Sequence, residues 1–150
     1  MSKLFAFNFA EILCAMIDLR KPAKQADQRE ERFLQKDCAM WLKKELYLRG
    51  LPQIFYHVAN ERKATPAQHS RLKLQGVLKG VSDIVLPVRS QEFSGIYAEL
   101  KTKNGVPSPE QKAFLKGVAE QGYLAVIIND IITFREVLTS YLNNRQTNNE

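Results

Sequence analysis

One glutamate and one lysine in the middle of the sequence have the clearest chemical potential. Glu99 and Lys101 are separated by a single residue within residues 94–102, a stretch whose composition is typical of a β-strand. Because successive side chains of a strand point to opposite faces, Tyr97, Glu99 and Lys101 share one face. The sequence therefore places a carboxylate and an ammonium group side by side.

A second carboxylate, Asp83, lies sixteen residues before Glu99, in the strand predicted for residues 82–88. A polar turn joins the two strands, and pairing as a hairpin brings Asp83 close to Glu99. Two carboxylates a few ångströms apart repel each other unless a cation lies between them. The pair predicts a Mg²⁺ or Mn²⁺ site, since these hard cations prefer oxygen ligands.

A divalent cation with a lysine beside it is suited to phosphodiester hydrolysis. The cation polarises the phosphate and lowers the pKa of a bound water, while Lys101 orients that water or stabilises the transition-state charge. The alternative is that Glu99 and Lys101 form a solvated surface pair, which contributes at most about 1 kcal/mol. The upstream Asp83 favours the catalytic interpretation.

The charge balance points to a polyanionic partner. The 150 residues include 22 Lys and Arg against 16 Asp and Glu, a net charge of +6, so nucleic acid is the first candidate. No motif for reading base edges is visible, and shape is the expected basis of specificity. The basic residues that flank the catalytic segment, and that we predict to bind phosphates, are Arg62, Lys63, Arg71, Lys73, Lys79, Lys103, Lys112 and Lys116.

The length fits one folded domain with helices packed on a mixed sheet, in the order αβββαβα. Residues 60–73 are interpreted as a loop with one or two helical turns. The predicted domains are an accessory helix and connector (1–26), a nuclease-like domain (27–142) and a flexible tail (143–150). The predicted helices are 27–49, 108–121 and 131–142, and the predicted strands are 53–58, 82–88, 94–102 and 123–129.

The N-terminal segment and the cysteines exclude several classes of protein. Asn8 and Glu11 interrupt the first apolar stretch, which argues against a signal peptide, and no run of about 18 apolar residues predicts a membrane-spanning helix. Cys14 and Cys38 form no CxxC pair, which excludes a disulfide framework and a cysteine-rich zinc site. We expect a cytoplasmic protein, bacterial or phage-encoded.

Four short sequences occur together in order: GVSDIVL (80–86), YAELK (97–101), SPEQ (108–111) and EQGYLAV (120–126). This set resembles the virus-type replication-repair nuclease (VRR-NUC) domain, a branch of the PD-(D/E)xK superfamily, over residues 28–142. Ser82 stands where that family usually has proline, and Glu61 where it usually has glycine. The resemblance implies an α/β restriction-endonuclease-like fold with a central mixed sheet flanked by helices.

The resemblance also implies roles for particular residues. Asp83 and Glu99 would ligate Mg²⁺ or Mn²⁺ together with the carbonyl of Leu100, and Lys101 would act on the nucleophilic water. The roles of Asp83, Glu99 and Lys101 match the chemistry that their residue types indicate on their own, whereas that of Leu100 comes from the resemblance.

Two further positions gain a role from the resemblance. Glu31 would add a carboxylate from the first helix; Glu30 is the competing assignment, and Glu31 is favoured because it lies four residues before Gln35 on one helix face. Gln111 would face the site from the second helix and hold a water or the lysine. The alternative is that Gln111 only caps the turn that follows Ser108.

The implied activity is that of a divalent-metal-dependent DNA endonuclease for branched, junction or flap DNA. The implied assembly is a homodimer, with residues 3–19 as a candidate part of its interface. Two other functions stay open: a non-catalytic basic DNA-binding module, and an accessory subunit whose main surface binds a protein. Phe33, Cys38 and Trp41 are expected in the core, and His57 is expected to form a hydrogen bond at a strand end.

Overall fold

A computed structural model describes residues 26–58 and 65–145 of the chain. Predictions for residues 1–25, for Arg62 and Lys63, and for residues 146–150 lie outside this part. Within it, the helices are α1 (Ala26–Leu48), α2 (Pro66–Leu74), α3 (Pro109–Glu120) and α4 (Ile131–Asn143), and the strands are β1 (Tyr56–His57), β2 (Ile84–Leu86), β3 (Ile96–Leu100) and β4 (Leu124–Ile128).

The four strands of the described residues form one mixed sheet in the order β1-β2-β3-β4. β2 pairs antiparallel with β1 and with β3, so the predicted hairpin is confirmed. β3 pairs parallel with β4, and α3 provides the connection between them. The fold is thus the expected α/β arrangement of a central mixed sheet with helices against it.

One face of the sheet contributes to the main core with α1 and α4. The alternating side chains of β2 and β3 supply its sheet half, because residues two apart in a strand point the same way. Cys38 is buried, as predicted, and this burial raises the pKa of its thiol to about 12, so that the thiol stays uncharged in the core. The core members from the helices include Cys38, Leu42, Leu46, Phe134, Leu138, Tyr141 and Leu142.

The opposite face of the sheet packs against α3. Tyr97 of β3 meets Phe114 of α3 edge to face, with ring centroids 5.6 Å apart, and meets Tyr123 in the same way at 5.2 Å. Leu115 of α3 is fully buried. The side chains of Tyr97 and Glu99 therefore lie between the sheet and a helix rather than on an open surface.

Two elements differ from the sequence prediction. The one or two helical turns predicted within the loop at 60–73 are a nine-residue helix, α2, so the observed order has one helix more than αβββαβα. Its N-terminus is capped reciprocally, because the Thr65 side chain accepts from the Gln68 N–H while the Gln68 side chain accepts from the Thr65 N–H. The strand predicted over residues 53–58 is reduced to β1.

The aromatic residues of α1 divide between core and solvent. Trp41 packs against the core and meets Phe134 edge to face, as predicted. The prediction for Phe33 is wrong, since 55% of it is exposed. Phe33 lies five residues before Cys38, which turns it roughly 140° away from the buried stripe of the helix. None of the helices in the described part combines the length and apolar character needed to traverse a bilayer.

Candidate active site

Hydrogen bonds hold both the backbone and the side chain of Asp83 in place. Asp83 directly precedes β2, and extending the pairing of Ile84 with Ala98 by one position places it opposite Glu99. The Asp83 carboxylate accepts a hydrogen bond from the Leu100 N–H at 2.8 Å. Its carbonyl accepts from the Val58 N–H at 3.1 Å and from His57 Nδ1 at 2.7 Å, so His57 is the strand-end hydrogen-bond donor that the sequence predicted.

Glu99 lies on the same face of the sheet and is fully buried. One carboxylate oxygen, Oε1, is 2.9 Å from Lys101 Nζ and also accepts a hydrogen bond from Gln111 Nε2. The other oxygen, Oε2, is buried and has no hydrogen-bond partner among residues 26–58 and 65–145. Such an atom is costly to bury, so its position calls for a ligand.

The electrostatics of Glu99 reflect its burial and its neighbours. Burial raises the pKa of the Glu99 carboxyl to about 7, and the charge of Asp83 adds to this increase, while Lys101 acts in the opposite direction. Burial alone would lower the pKa of Lys101, but attraction to Glu99 and Glu31 outweighs it and raises the pKa overall. Lys101 is therefore charged at neutral pH.

Glu31 approaches the same lysine from α1. Its carboxylate is 3.8 Å from Lys101 Nζ, whereas the preceding residue, Glu30, is exposed. Lys101 itself retains only 12% side-chain exposure. The structure thus brings Glu31, and not Glu30, to the group formed by Asp83, Glu99 and Lys101.

Gln111 caps α3, as one of the two sequence interpretations had it, and its side chain also reaches the group of charged residues, at Glu99. Its side-chain oxygen accepts from the Ser108 N–H at 2.8 Å, while its backbone N–H donates to Ser108 Oγ at 3.2 Å, which completes a capping box at the start of α3. Its amide nitrogen donates to Glu99 rather than to Lys101. Sequence reasoning missed this last contact, because it depends on how α3 packs on the sheet.

Comparison with known proteins identifies the family. The sequence model of the VRR-NUC domain matches residues 25–129. The chain belongs to the VRR-NUC family. The matched range contains every residue of the group just described, and membership gives the chain a nuclease-type fold.

A solved structure of a "VRR_NUC domain protein" has the same fold as this chain. The TM-score is 0.66 and the sequence identity 23%, with 77% of this chain and 90% of the other covered. The comparison with curated proteins gives no match. At this identity the structural likeness supports the VRR-NUC fold only.

VRR-NUC nuclease domains are generally metal-dependent, and the donor atoms of this chain fit a small divalent cation. The unpartnered Glu99 Oε2 and the repulsion between Asp83 and Glu99 are both relieved by positive charge. Within residues 26–58 and 65–145 no three His, Cys, Asp or Glu side chains group as a metal site. Mg²⁺ tolerates this, since it binds through one or two carboxylates and keeps several waters.

Other buried polar atoms without hydrogen-bond partners cluster in sequence around the same residues. The hydroxyls of Ser82 and Thr102 are buried and unpartnered, and they directly adjoin Asp83 and Lys101. In the described part, only Arg145 Nε shares this property elsewhere. In sequence, these two hydroxyls immediately flank the segment pair that carries Asp83, Glu99 and Lys101.

The basic residues predicted to bind phosphates are distributed over several elements. Lys79 lies near Glu110 at the start of α3, and Lys103 lies near Asp130 at the start of α4. Lys116 pairs with Glu120 at 3.9 Å along α3. Arg71 and Lys73 occupy the last turn of α2, and Lys112 follows Gln111 on α3.

Proposed function

We propose that this protein is a divalent-metal-dependent DNA endonuclease that hydrolyses phosphodiester bonds in branched, junction or flap DNA. The observation that carries the proposal is the meeting of Asp83, Glu99 and Lys101, with one buried oxygen of Glu99 left without a protein partner. A binding-only protein has no reason to bury Glu99 next to the half-buried carboxylate of Asp83, beside the basic residues predicted to bind phosphates.

The carboxylates of Asp83 and Glu99 and the carbonyl of Leu100 would hold Mg²⁺ or Mn²⁺. The chemistry such a cation supplies when bound is polarisation of the phosphate and a lowered pKa of water. Asp83 is suited to this task because the Leu100 N–H fixes its carboxylate at 2.8 Å.

In this proposal Lys101 acts on the attacking water and on the phosphate group of the DNA. Its ammonium group is charged, largely buried and held at 2.9 Å from Glu99, so it is oriented before substrate arrives. It donates a hydrogen bond to the attacking water or to a phosphate oxygen, where negative charge builds up. Glu31, 3.8 Å away, restrains the lysine from the other side.

DNA binding rests on the positive charge around this centre. The predicted set consists of Arg62, Lys63, Arg71, Lys73, Lys79, Lys103, Lys112 and Lys116. Contacts with phosphates orient a duplex without reading its sequence, which favours recognition by shape. A homodimer would present two such centres to the opposing strands of a junction.

Cleavage assays test the proposal directly. Purified protein is incubated with linear duplex, single strand, flap, fork and four-way junction, in Mg²⁺ and in Mn²⁺ separately. We expect cleavage of the branched substrates, inhibition by EDTA, and a loss of at least about 100-fold in Asp83→Ala and Lys101→Ala. Lys44→Ala is the matched lysine control, since residue 44 lies thirteen positions along α1 from Glu31, about 20 Å away.

Three results separate the competing functions. Binding of branched DNA without cleavage in either metal would favour a non-catalytic DNA-binding module, and absence of both would favour an accessory subunit. Cleavage that survives both alanine substitutions in folded protein would refute the site assignment. Light scattering then measures whether the active species is a dimer.

A further inference from the structure

The Gln111 side chain links a helix cap to the proposed catalytic carboxylate. Its oxygen accepts from the Ser108 N–H, so the amide nitrogen has to point the other way, and there it donates to Glu99 Oε1. The capping box therefore decides which end of the amide reaches Glu99. A reversed amide would place oxygen against oxygen and lose both hydrogen bonds.

The start of α3 is held in place by an unusually close backbone contact. Gly80 lies against the first turn of the helix, where an added Cβ would come within 2.5 Å of the Glu110 carbonyl carbon and 2.7 Å of the Gln111 nitrogen. No side chain fits this space, because the neighbouring atoms are backbone. Gly80 also lies only three residues before Asp83, so one segment contacts Gln111 and carries the metal-ligand candidate.

We propose that Gly80 and Ser108 are positioning residues that hold Gln111 in the one orientation that fixes the Glu99 carboxylate. This inference rests on the proposed function and adds a second layer of residues to it. With Oε1 held by Gln111 and Lys101, Oε2 is the oxygen left to face the cation. Loss of the Gly80 contact or of the Ser108 hydroxyl loosens the first turn of α3, which releases Gln111 and lets the carboxylate rotate.

The test compares Gly80→Ala with Gly76→Ala. Both glycines have positive φ, +78° and +83°, so alanine strains the backbone equally, but nothing lies within 4 Å of a Cβ at Gly76. The difference between the variants therefore reports the contact with α3 and not the strain of the turn.

The first readout needs neither metal nor DNA. Hydrogen exchange of the Gln111 side-chain amide is measured by ¹⁵N NMR in EDTA, with its resonance assigned by its loss in Gln111→Glu. We expect exchange to accelerate about tenfold or more in Gly80→Ala and to stay at the wild-type rate in Gly76→Ala, because a released amide loses its acceptor.

The second readout is Mn²⁺ affinity, measured by calorimetry without DNA. Residues that orient a metal ligand change affinity or activity by about 10- to 100-fold, and we expect a loss in this range for Gly80→Ala only. With branched DNA, kcat falls to a similar extent while KM stays within about twofold, since phosphate contacts are unchanged.

Variants of the capping box test the same inference if Gly80→Ala does not fold. Ser108→Ala keeps the backbone N–H that binds the Gln111 side chain but removes Oγ, which caps the Gln111 backbone N–H, so the first turn of α3 loosens and Mn²⁺ affinity is expected to fall. Ser108→Thr is expected to restore it, because threonine also caps helices. Gln111→Glu keeps an oxygen for the Ser108 N–H but presents no donor to Glu99. Its matched control is Gln68→Glu in the equivalent box of α2, which is expected to leave Mn²⁺ affinity unchanged.

The outcomes distinguish this inference from the proposed function. The positioning role would be overturned if Gly80→Ala and Gly76→Ala had equal amide exchange and equal Mn²⁺ affinity, even if the wild type cleaves DNA. It would also be overturned if Ser108→Ala lost no Mn²⁺ affinity. A wild type that cleaves no DNA would refute the endonuclease function, while the exchange measurements would still decide how Gln111 is held.

Discussion

Glu99 combines deep burial with neighbouring charges of both signs. Its carboxylate contacts Lys101 and Gln111 through one oxygen and has no protein partner for the other. Because burial and Asp83 both favour the protonated form, the metal-free protein is less stable when Glu99 is ionised. A side chain placed in this way is poorly explained by stability alone and is typical of functional sites.

The pKa of Glu99 gives a defined pH dependence in EDTA. It rises from 4.5 to about 7 on folding, so its stabilising effect is complete below pH 4.5 and is lost as the pH increases through 7. The change amounts to up to about 3 kcal/mol. Glu99→Gln removes this dependence, and its melting temperature should exceed that of the wild type increasingly between pH 5 and 7.5. A pH-independent difference would contradict the shift.

Ser82 provides a second prediction for a single side chain. Its hydroxyl is fully buried without a partner, so replacing it with alanine removes a polar group that makes no hydrogen bond. We expect Ser82→Ala to leave the free energy of unfolding in urea unchanged or to increase it by up to about 1 kcal/mol. A loss of more than about 1 kcal/mol would show that the hydroxyl has a partner in solution.

The strands of the sheet and the helices α1, α3 and α4 that pack against it follow largely from local sequence patterns. Residues 108–111 predict the start of α3, because Ser108 is suited to cap a helix and Pro109 to its first position. The helix starts there. The same pattern at residues 65–68, with threonine, proline and glutamine, starts α2, for which the sequence predicts only one or two helical turns within a loop. That helix has no buried residue, so its sequence lacks the apolar periodicity on which helix prediction depends.

Contacts between elements were less predictable from sequence. The alternation of β2 and β3 was sufficient to place Asp83 near Glu99, because a hairpin fixes its own register. The contacts of Gln111 with Glu99 and of Gly80 with α3 depend on how helices dock on the sheet, which no local pattern specifies.

The packing of α1 supports a prediction at the scale of one element. Leu42 is fully buried in the core, whereas Met40, two residues earlier on the same helix, is 62% exposed. We expect Leu42→Ala to lower the free energy of unfolding by about 2–5 kcal/mol through the cavity it leaves. Met40→Ala should change it by less than about 0.5 kcal/mol. Similar losses in both variants, by chemical denaturation, would contradict the placement of α1.

The whole molecule combines a net charge of +6 with an acidic group of which Glu99 is fully buried. In the proposed function, repulsion between the carboxylates and DNA phosphates would oppose binding, while the lysines predicted to contact phosphates would favour it. Cation binding between the carboxylates shifts this balance, so DNA affinity and metal affinity should be coupled.

Salt dependence measures the contribution of the lysines. With Asp83→Asn in EDTA, which prevents cleavage, the logarithm of the DNA-binding constant should fall linearly with the logarithm of the salt concentration. Removing one phosphate contact reduces the slope by about 0.9, which we expect for Lys103→Ala and for Lys112→Ala. Lys44→Ala should leave it unchanged. If all three variants behave alike, the phosphate contacts lie elsewhere.

The hairpin that carries the two carboxylates also affects the order in which the chain folds. Asp83 and Glu99 are sixteen residues apart and meet through a short loop, whereas Glu31 is separated from Glu99 by sixty-eight. Closing the longer loop costs about 1 kcal/mol more chain entropy. We therefore expect the hairpin to close before α1 docks, so that Asp83 and Glu99 come together earlier in refolding than Glu31 joins them.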